Sequence, residues 1–107
     1  MRYVFDLDGT LCNNTNGNYH LAIPKYSRIS QVNSLYEQGH HITILTARGM
    51  STYQNDATKA NEKWYEFTRN QLREWNVNHH ELFLGKPAGD FYIDDKAVKD
   101  DDFFKES

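Results

Sequence analysis

Two aspartates, Asp6 and Asp8, are separated only by Leu7 and follow a short apolar run, in the string Phe5–Cys12 (FDLDGTLC). A carboxylate presented at the end of a buried strand can attack phosphorus and carry a covalent phosphoryl group. A second carboxylate on the turn beyond it can protonate the leaving oxygen and later deprotonate a water. Gly9 supplies the backbone freedom such a turn needs. Two more aspartates, Asp94 and Asp95, close the run FYIDDKA near the other end of the chain. Converging carboxylates repel one another unless a cation sits between them. An all-oxygen set of this kind suits Mg2+ better than zinc, and no Cys/His pattern competes for the metal. Magnesium commonly takes one or two carboxylates together with a substrate phosphate, so the site points to a phosphorylated substrate. Lys86 and the hydroxyl of Thr46 complete a cradle for the other phosphate oxygens.

Positioning these groups requires strands that end together. Arg2–Asp6 reads as a first strand, His41–Leu45 (HITIL) as a second, Glu81–Leu84 (ELFL) as a third and Phe91–Ile93 (FYI) as a fourth. Cys12–Asn18 (CNNTNGN) has the composition of a loop or tight hairpin. Pro24 suits a first helical turn, Ile29, Val32 and Tyr36 make a helical stripe beside Leu35, and Gly39 ends that helix. A second helix is expected over Thr58–Trp75, with Ala60, Trp64, Phe67, Leu72 and Trp75 near one face. Gly85–Asp90 is too short for a helix, and the charged tail from Lys99 reads as a short helix or a frayed end. Strands alternating with helices predict a single α/β domain over residues 1–107, a Rossmann-like three-layer fold with a mainly parallel sheet. Ligands bind such sheets outside the carboxyl ends of the strands. Asp6, Thr46, Lys86 and Asp94–Asp95 all fall there.

Length and charge narrow the class. A chain of 107 residues holds one modest core, with no room for a large independent lid. Its net charge of −3 gives no basic footprint, which weighs against a nucleic-acid partner. Cys12 is the only cysteine, so there is no internal disulfide framework. No signal-peptide pattern and no stretch of ~20 apolar residues is present, so a soluble cytoplasmic protein without a membrane partner is expected. Taken singly, Thr46 is an ordinary β-former, Lys86 an ordinary surface lysine, and Asp94–Asp95 an ordinary helix cap. Their arrival in order after successive strands points to chemistry. His40–His41 and His79–His80 read as strand-edge residues, and Trp64, Phe67 and Trp75 as core or subunit interface. Arg48 reads equally as a phosphate contact, a subunit contact or a surface residue. Tyr19 and His20 sit where the loop after Asp8 would touch substrate.

FDLDGTLC, the strand end ITILTARG, Lys86 and FYIDDKA together resemble the haloacid dehalogenase superfamily of phosphatases, in that superfamily's order and across Phe5–Ala97. The resemblance implies a Mg2+-dependent phosphomonoester hydrolase working through an aspartyl-phosphate. Asp6 would be nucleophile and metal ligand, Asp8 the acid/base and, through its carbonyl, a second ligand. Thr46, Ala47 and Lys86 would bind the phosphoryl group, Asp95 would ligate the metal directly and Asp94 through water. The gaps after Asp8 and Thr46 hold no inserted cap, which implies a capless member, its site open or closed by a partner subunit in a homodimer or tetramer. Within the superfamily the chain is most similar to capsule-polysaccharide biosynthesis phosphatases, on the N-terminal motif, Ile23–Gly49 and the stretch through FYIDDKA. That implies a sugar phosphate as substrate. Asp94–Lys96 is also similar to the ending of polynucleotide 3′-phosphatase domains, an alternative substrate class. Receiver domains and silent phosphate-binding modules are the non-enzyme alternatives; receivers carry their acidic pair first, opposite to the order here.

Overall fold

The structure, a computed structural model, describes residues 1–105; Glu106 and Ser107, the end of the charged tail, lie outside the described residues. Strand β1 (Arg2–Phe5) leads through a long loop with one 3-10 turn (Tyr19–Leu21) into helix α1 (Tyr26–Glu37). Strand β2 (His41–Thr46), helix α2 (Ala57–Glu74), strand β3 (Glu81–Leu84) and the short helix α3 (Asp100–Phe104) follow. Asp56 caps α2, its side chain accepting from Lys59 N at 3.2 Å. Gly39, at φ +93°, carries the left-handed turn that ends α1 and starts β2.

The three strands form one parallel sheet in the order β1-β2-β3. Phe5 lies beside Ile44 and Thr46 beside Leu84, so Asp6, Thr46 and Lys86 leave the sheet at the same end. Right-handed crossovers in sequential order place α1 and α2 on the same face. The core agrees: Phe5, Ile42, Ile44, Leu82 and Leu84 pack with Ile29, Val32, Leu72, Trp75 and Val77. Phe104 of α3 joins that cluster, on the face of Tyr3 and Phe5. Alternation sends Val4, Thr43, Leu45 and Phe83 to the opposite face. No helix among the described residues belongs to that side, and Val4 and Phe83 are 62% and 51% exposed. The α/β class and parallel sheet stand as expected, while the third layer is not built by any described helix.

The expected fourth strand is not formed. Residues 91–98 have no regular structure, and Phe91 and Ile93 are 86% and 96% exposed. The reason is topological. A parallel return from β3 needs a crossover of a dozen or more residues, and only Gly85–Asp90 is available. Tyr92 folds back on that link instead, its hydroxyl donating to Pro87 O at 2.6 Å and accepting from Gly89 N at 3.1 Å. Asp94 and Asp95 therefore sit on an exposed segment and not at a strand end.

Candidate active site

Asp6 is the residue at which β1 gives way to a tight loop. The amides of Thr10, Leu11 and Cys12 all donate to Leu7 O, at 3.0, 2.8 and 3.3 Å. Gly9, at φ +85°, lets the chain curl within four residues, which its own amide closes by donating to Cys12 O at 2.9 Å. The Asp6 carboxylate faces Lys86, with Nζ–Oδ1 at 3.7 Å. Lys86 is fixed from both sides: its ammonium lies 4.2 Å from the Tyr92 ring centre, and its backbone amide donates to Thr46 O at 3.2 Å. Burial pushes the Asp6 carboxyl above the usual carboxylate range and the negative charge of Asp8 adds to it, while Lys86 and the Leu7 amide oppose the rise without cancelling it. Asp6 is therefore a carboxylate in want of positive charge.

Asp8 is held very differently. Arg48 grips it in a two-point fork, Nε donating to Oδ2 at 2.9 Å and Nη2 to Oδ1 at 3.0 Å. Arg48 itself is 1% exposed. Its third arm donates to Thr68 Oγ1 on α2 at 3.2 Å, and its guanidinium lies 4.7 Å from the Tyr19 ring centre. Cys12 Sγ faces Asp8 Oδ1 at 3.4 Å, and burial together with Asp8 pushes that thiol up to about 12, so it stays a neutral donor. Oδ1 thus has two donors, while Oδ2 has one and keeps a lone pair for proton transfer.

Thr46 is buried at the end of β2, and its Oγ1 accepts from Arg48 N at 3.2 Å, leaving the hydroxyl proton to donate outward. Ala47 follows in the turn, its carbonyl accepting from Met50 N at 2.9 Å. The structure thus gathers Asp6, Asp8, Thr46, Ala47 and Lys86 around the ends of three strands. Other expectations change. Arg48 has no surface role and spends its donors inside the protein. Tyr19 packs on Arg48 and on Trp64, with ring centres 4.7 Å apart, and its hydroxyl accepts from Gly49 N at 2.9 Å. It forms a half-buried wall behind Asp8. His20 is exposed beside it. Sequence reading missed Thr68 and Tyr92, and no local signal marks either one.

The donors for a magnesium ion are only partly assembled. Asp6 offers a carboxylate, and among the described residues none of the loop amides donates to the Asp8 carbonyl. Asp94 is turned to its own segment, Oδ1 accepting from Lys96 N at 2.9 Å. No group of three metal-ligating side chains occurs among the described residues. Two hard oxygens fit magnesium, which fills its other positions with water and substrate phosphate; the Asp pair does not reach them within this chain.

The sequence profile of haloacid dehalogenase-like hydrolases matches residues 3–86, a span that contains Asp6, Asp8, Thr46 and Lys86 and stops short of the Asp pair. The chain belongs to the haloacid dehalogenase-like hydrolases. A crystal structure of a structural-genomics target from Vibrio cholerae is similar at 32% identity and a TM-score of 0.89, over 99% of this chain and 89% of that one. Comparison with curated proteins gives no match. For this hydrolase the family and the parallel α/β sheet agree. No helix among the described residues is long and apolar enough to cross a membrane.

Proposed function

We propose that this haloacid dehalogenase-like hydrolase is a capless, magnesium-dependent phosphomonoesterase acting on a small phosphorylated metabolite of the sugar-phosphate class. One observation carries the reading: Asp6, raised by burial, faces Lys86, while Asp8 two residues on is clamped by Arg48 with one lone pair open. Two carboxylates in such unlike settings suit two different roles. The absence of any regular insertion larger than the Tyr19–Leu21 turn between Asp8 and α1 supports an open site that admits a small polar substrate.

In the proposed reaction an Asp6 oxygen attacks phosphorus and the ester P–O bond breaks. The departing oxygen takes its proton from Asp8, which must hold one at that moment. Water then attacks the phosphorus of the aspartyl-phosphate and gives its proton to Asp8. The bond to Asp6 breaks and inorganic phosphate leaves. Lys86 and the Thr46 hydroxyl hold the non-transferring oxygens throughout, and Arg48 keeps Asp8 in place between the two steps. Magnesium, held by Asp6 and the Asp8 carbonyl, would supply the positive charge that Asp6 lacks and offset charge on the phosphoryl oxygens.

The test is phosphate release from p-nitrophenyl phosphate, sugar phosphates, nucleotides and 3′-phosphorylated oligonucleotides, each with magnesium and with excess chelator. Magnesium-dependent turnover, best with sugar phosphates, is expected. Preference for the oligonucleotides would move the substrate class to nucleic-acid ends. Phosphate taken up from a donor and held without turnover would replace the enzyme by a receiver.

A further inference from the structure

Three features of the fold are left over from the site just described, and they fit one another. Among the described residues the outer edge of β1 has no strand beside it, since β1 ends the sheet. Phe91, Tyr92 and Ile93, a β-branched and aromatic run with the composition of a strand, stand 86%, 50% and 96% exposed. Among the described residues no third metal-ligating side chain joins Asp6 and Asp8 at that end of β1, and Asp94 and Asp95 directly follow the exposed run. An open edge with unpaired backbone groups, in a chain that also exposes an unpaired apolar strand former, is a hazard that proteins normally cover.

Within one chain the two do not meet. From the end of β3 the segment would have to cross three strand spacings and return a strand's length, roughly 20 Å along a straight diagonal. The seven steps from Leu84 to Phe91 reach about 23–25 Å only when fully extended, with little slack to pass over the side chains of the sheet. The link is also not extended: Ala88 N donates to Asn55 Oδ1 at 2.9 Å, and Tyr92 folds back on Pro87 and Gly89. These contacts hold Tyr92 against the link and over Lys86, and they leave Phe91 and Ile93 exposed.

We infer that Phe91–Asp95 of one copy adds as a parallel strand to the open β1 edge of a second copy, and that the exchange is reciprocal. A parallel addition carries Asp94 and Asp95 to the strand end where the partner's Asp6 emerges, so each site is completed across the interface. The same association takes Phe91 and Ile93 out of water. Reciprocal exchange is a closed two-fold arrangement, which stops at a defined size and forms no fibre. The Vibrio cholerae relative matches over 99% of the chain, a span that includes the projecting run. The strand exchange stands on its own; the completion of the site rests on the phosphatase reading above.

Sedimentation should give at least twice the 12.6 kDa chain mass, and Ile93→Asp, a change at an exposed position, should yield a folded monomer by circular dichroism. Two inactive chains, Asp6→Asn and the double variant Asp94→Asn with Asp95→Asn, are then refolded together in equal amounts. Exchange creates one intact site per hybrid dimer, so about a quarter of wild-type activity should return. Sites made within one chain would restore none. A readout without activity is an amine cross-linker applied to a co-refolded mixture of heavy- and light-isotope chains, which should join Lys86 of one copy to Lys96 of the other. A monomeric wild type, links only between like isotopes, or an active wild type whose mixed variants stay dead would each overturn the exchange. Mixed-isotope links in a protein that hydrolyses no ester would uphold the exchange and sink the phosphatase reading.

Discussion

Asp6 and Asp8 are separated by Leu7 alone, yet one is pushed toward its protonated form and the other is gripped by a buried arginine. The contrast has testable consequences. Because the folded-state value of Asp6 lies above that of the unfolded chain, its contribution favours the fold at low pH and is lost as pH rises through the folded value. Asp6→Asn should therefore abolish turnover and leave the melting temperature at pH 7 unchanged or higher; a marked fall in calorimetry would contradict this. Magnesium needs Asp6 ionised, so raising magnesium should move the acid limb of the rate profile to lower pH. Arg48→Lys keeps the charge and loses the fork. It should lower kcat roughly ten- to hundredfold with little change in KM. A rise in KM alone would make Arg48 the substrate contact that the sequence left open. The placement of Asp6 and Asp8 together at the end of β1 was legible because both lie within one eight-residue string, Phe5–Cys12. The role of Arg48 was not, because its partners Asp8 and Thr68 lie 40 and 20 residues away and a lone arginine reads as surface.

At the scale of elements, the turn after β2 and the helix that ends the described chain hold the site in shape. Gly49 sits at φ +78°, and a Cβ there would come within 2.8 Å of Trp64 Cδ1. Gly49→Ala should cost about 1–3 kcal/mol in chemical denaturation and reduce activity, because it displaces the Tyr19 wall behind Arg48. Helix α3 is tied to α1 through Arg28, which reaches Asp100 at 2.6 Å and Asp101 at 2.9 Å and lies 5.0 Å from the Phe104 ring centre. Arg28 holds the Asp100 carboxyl below its usual range. Its contribution is thus present at neutral pH and lost as pH falls through the lowered folded value. Asp100→Asn should destabilise the protein by about 1–2 kcal/mol at pH 7 and converge with the wild type in acid; equal differences at both pH values would refute the ion pair. Helices α1 and α2 and strands β1 to β3 were readable from periodicity, since local pattern decides them. The run Phe91–Ile93 was misread for the same reason. Its composition is that of a strand, but pairing depends on a crossover that six residues do not provide.

Across the whole molecule, the helices cover one sheet face and leave Val4 and Phe83 on the other. Nothing local in the sequence marks a missing layer; it follows from sequential strand order and right-handed crossovers, which put α1 and α2 together. Exposed Phe91 and Ile93 and the unpaired β1 edge belong to the same surface logic, and an isolated chain with them uncovered should be prone to association. Wild type should therefore remain soluble at concentrations where Ile93→Asp is monomeric, but should sediment as the larger species. The convergence of Asp6, Thr46 and Lys86 outside the strand ends was legible from the order of motifs, whereas the exposed position of the Asp94–Asp95 pair was not.

The claim at the centre of the account is that Asp6 forms the covalent bond to phosphorus. Acid-quenching the enzyme during turnover of a good substrate, in wild type and in Asp8→Asn, and mapping the phosphoryl group by peptide mass spectrometry addresses it directly. One phosphoryl group is expected on the peptide that carries Asp6, accumulating further in Asp8→Asn, where the attacking water loses its base. Turnover with no phosphoryl group on Asp6, or with the group on another residue, would contradict it.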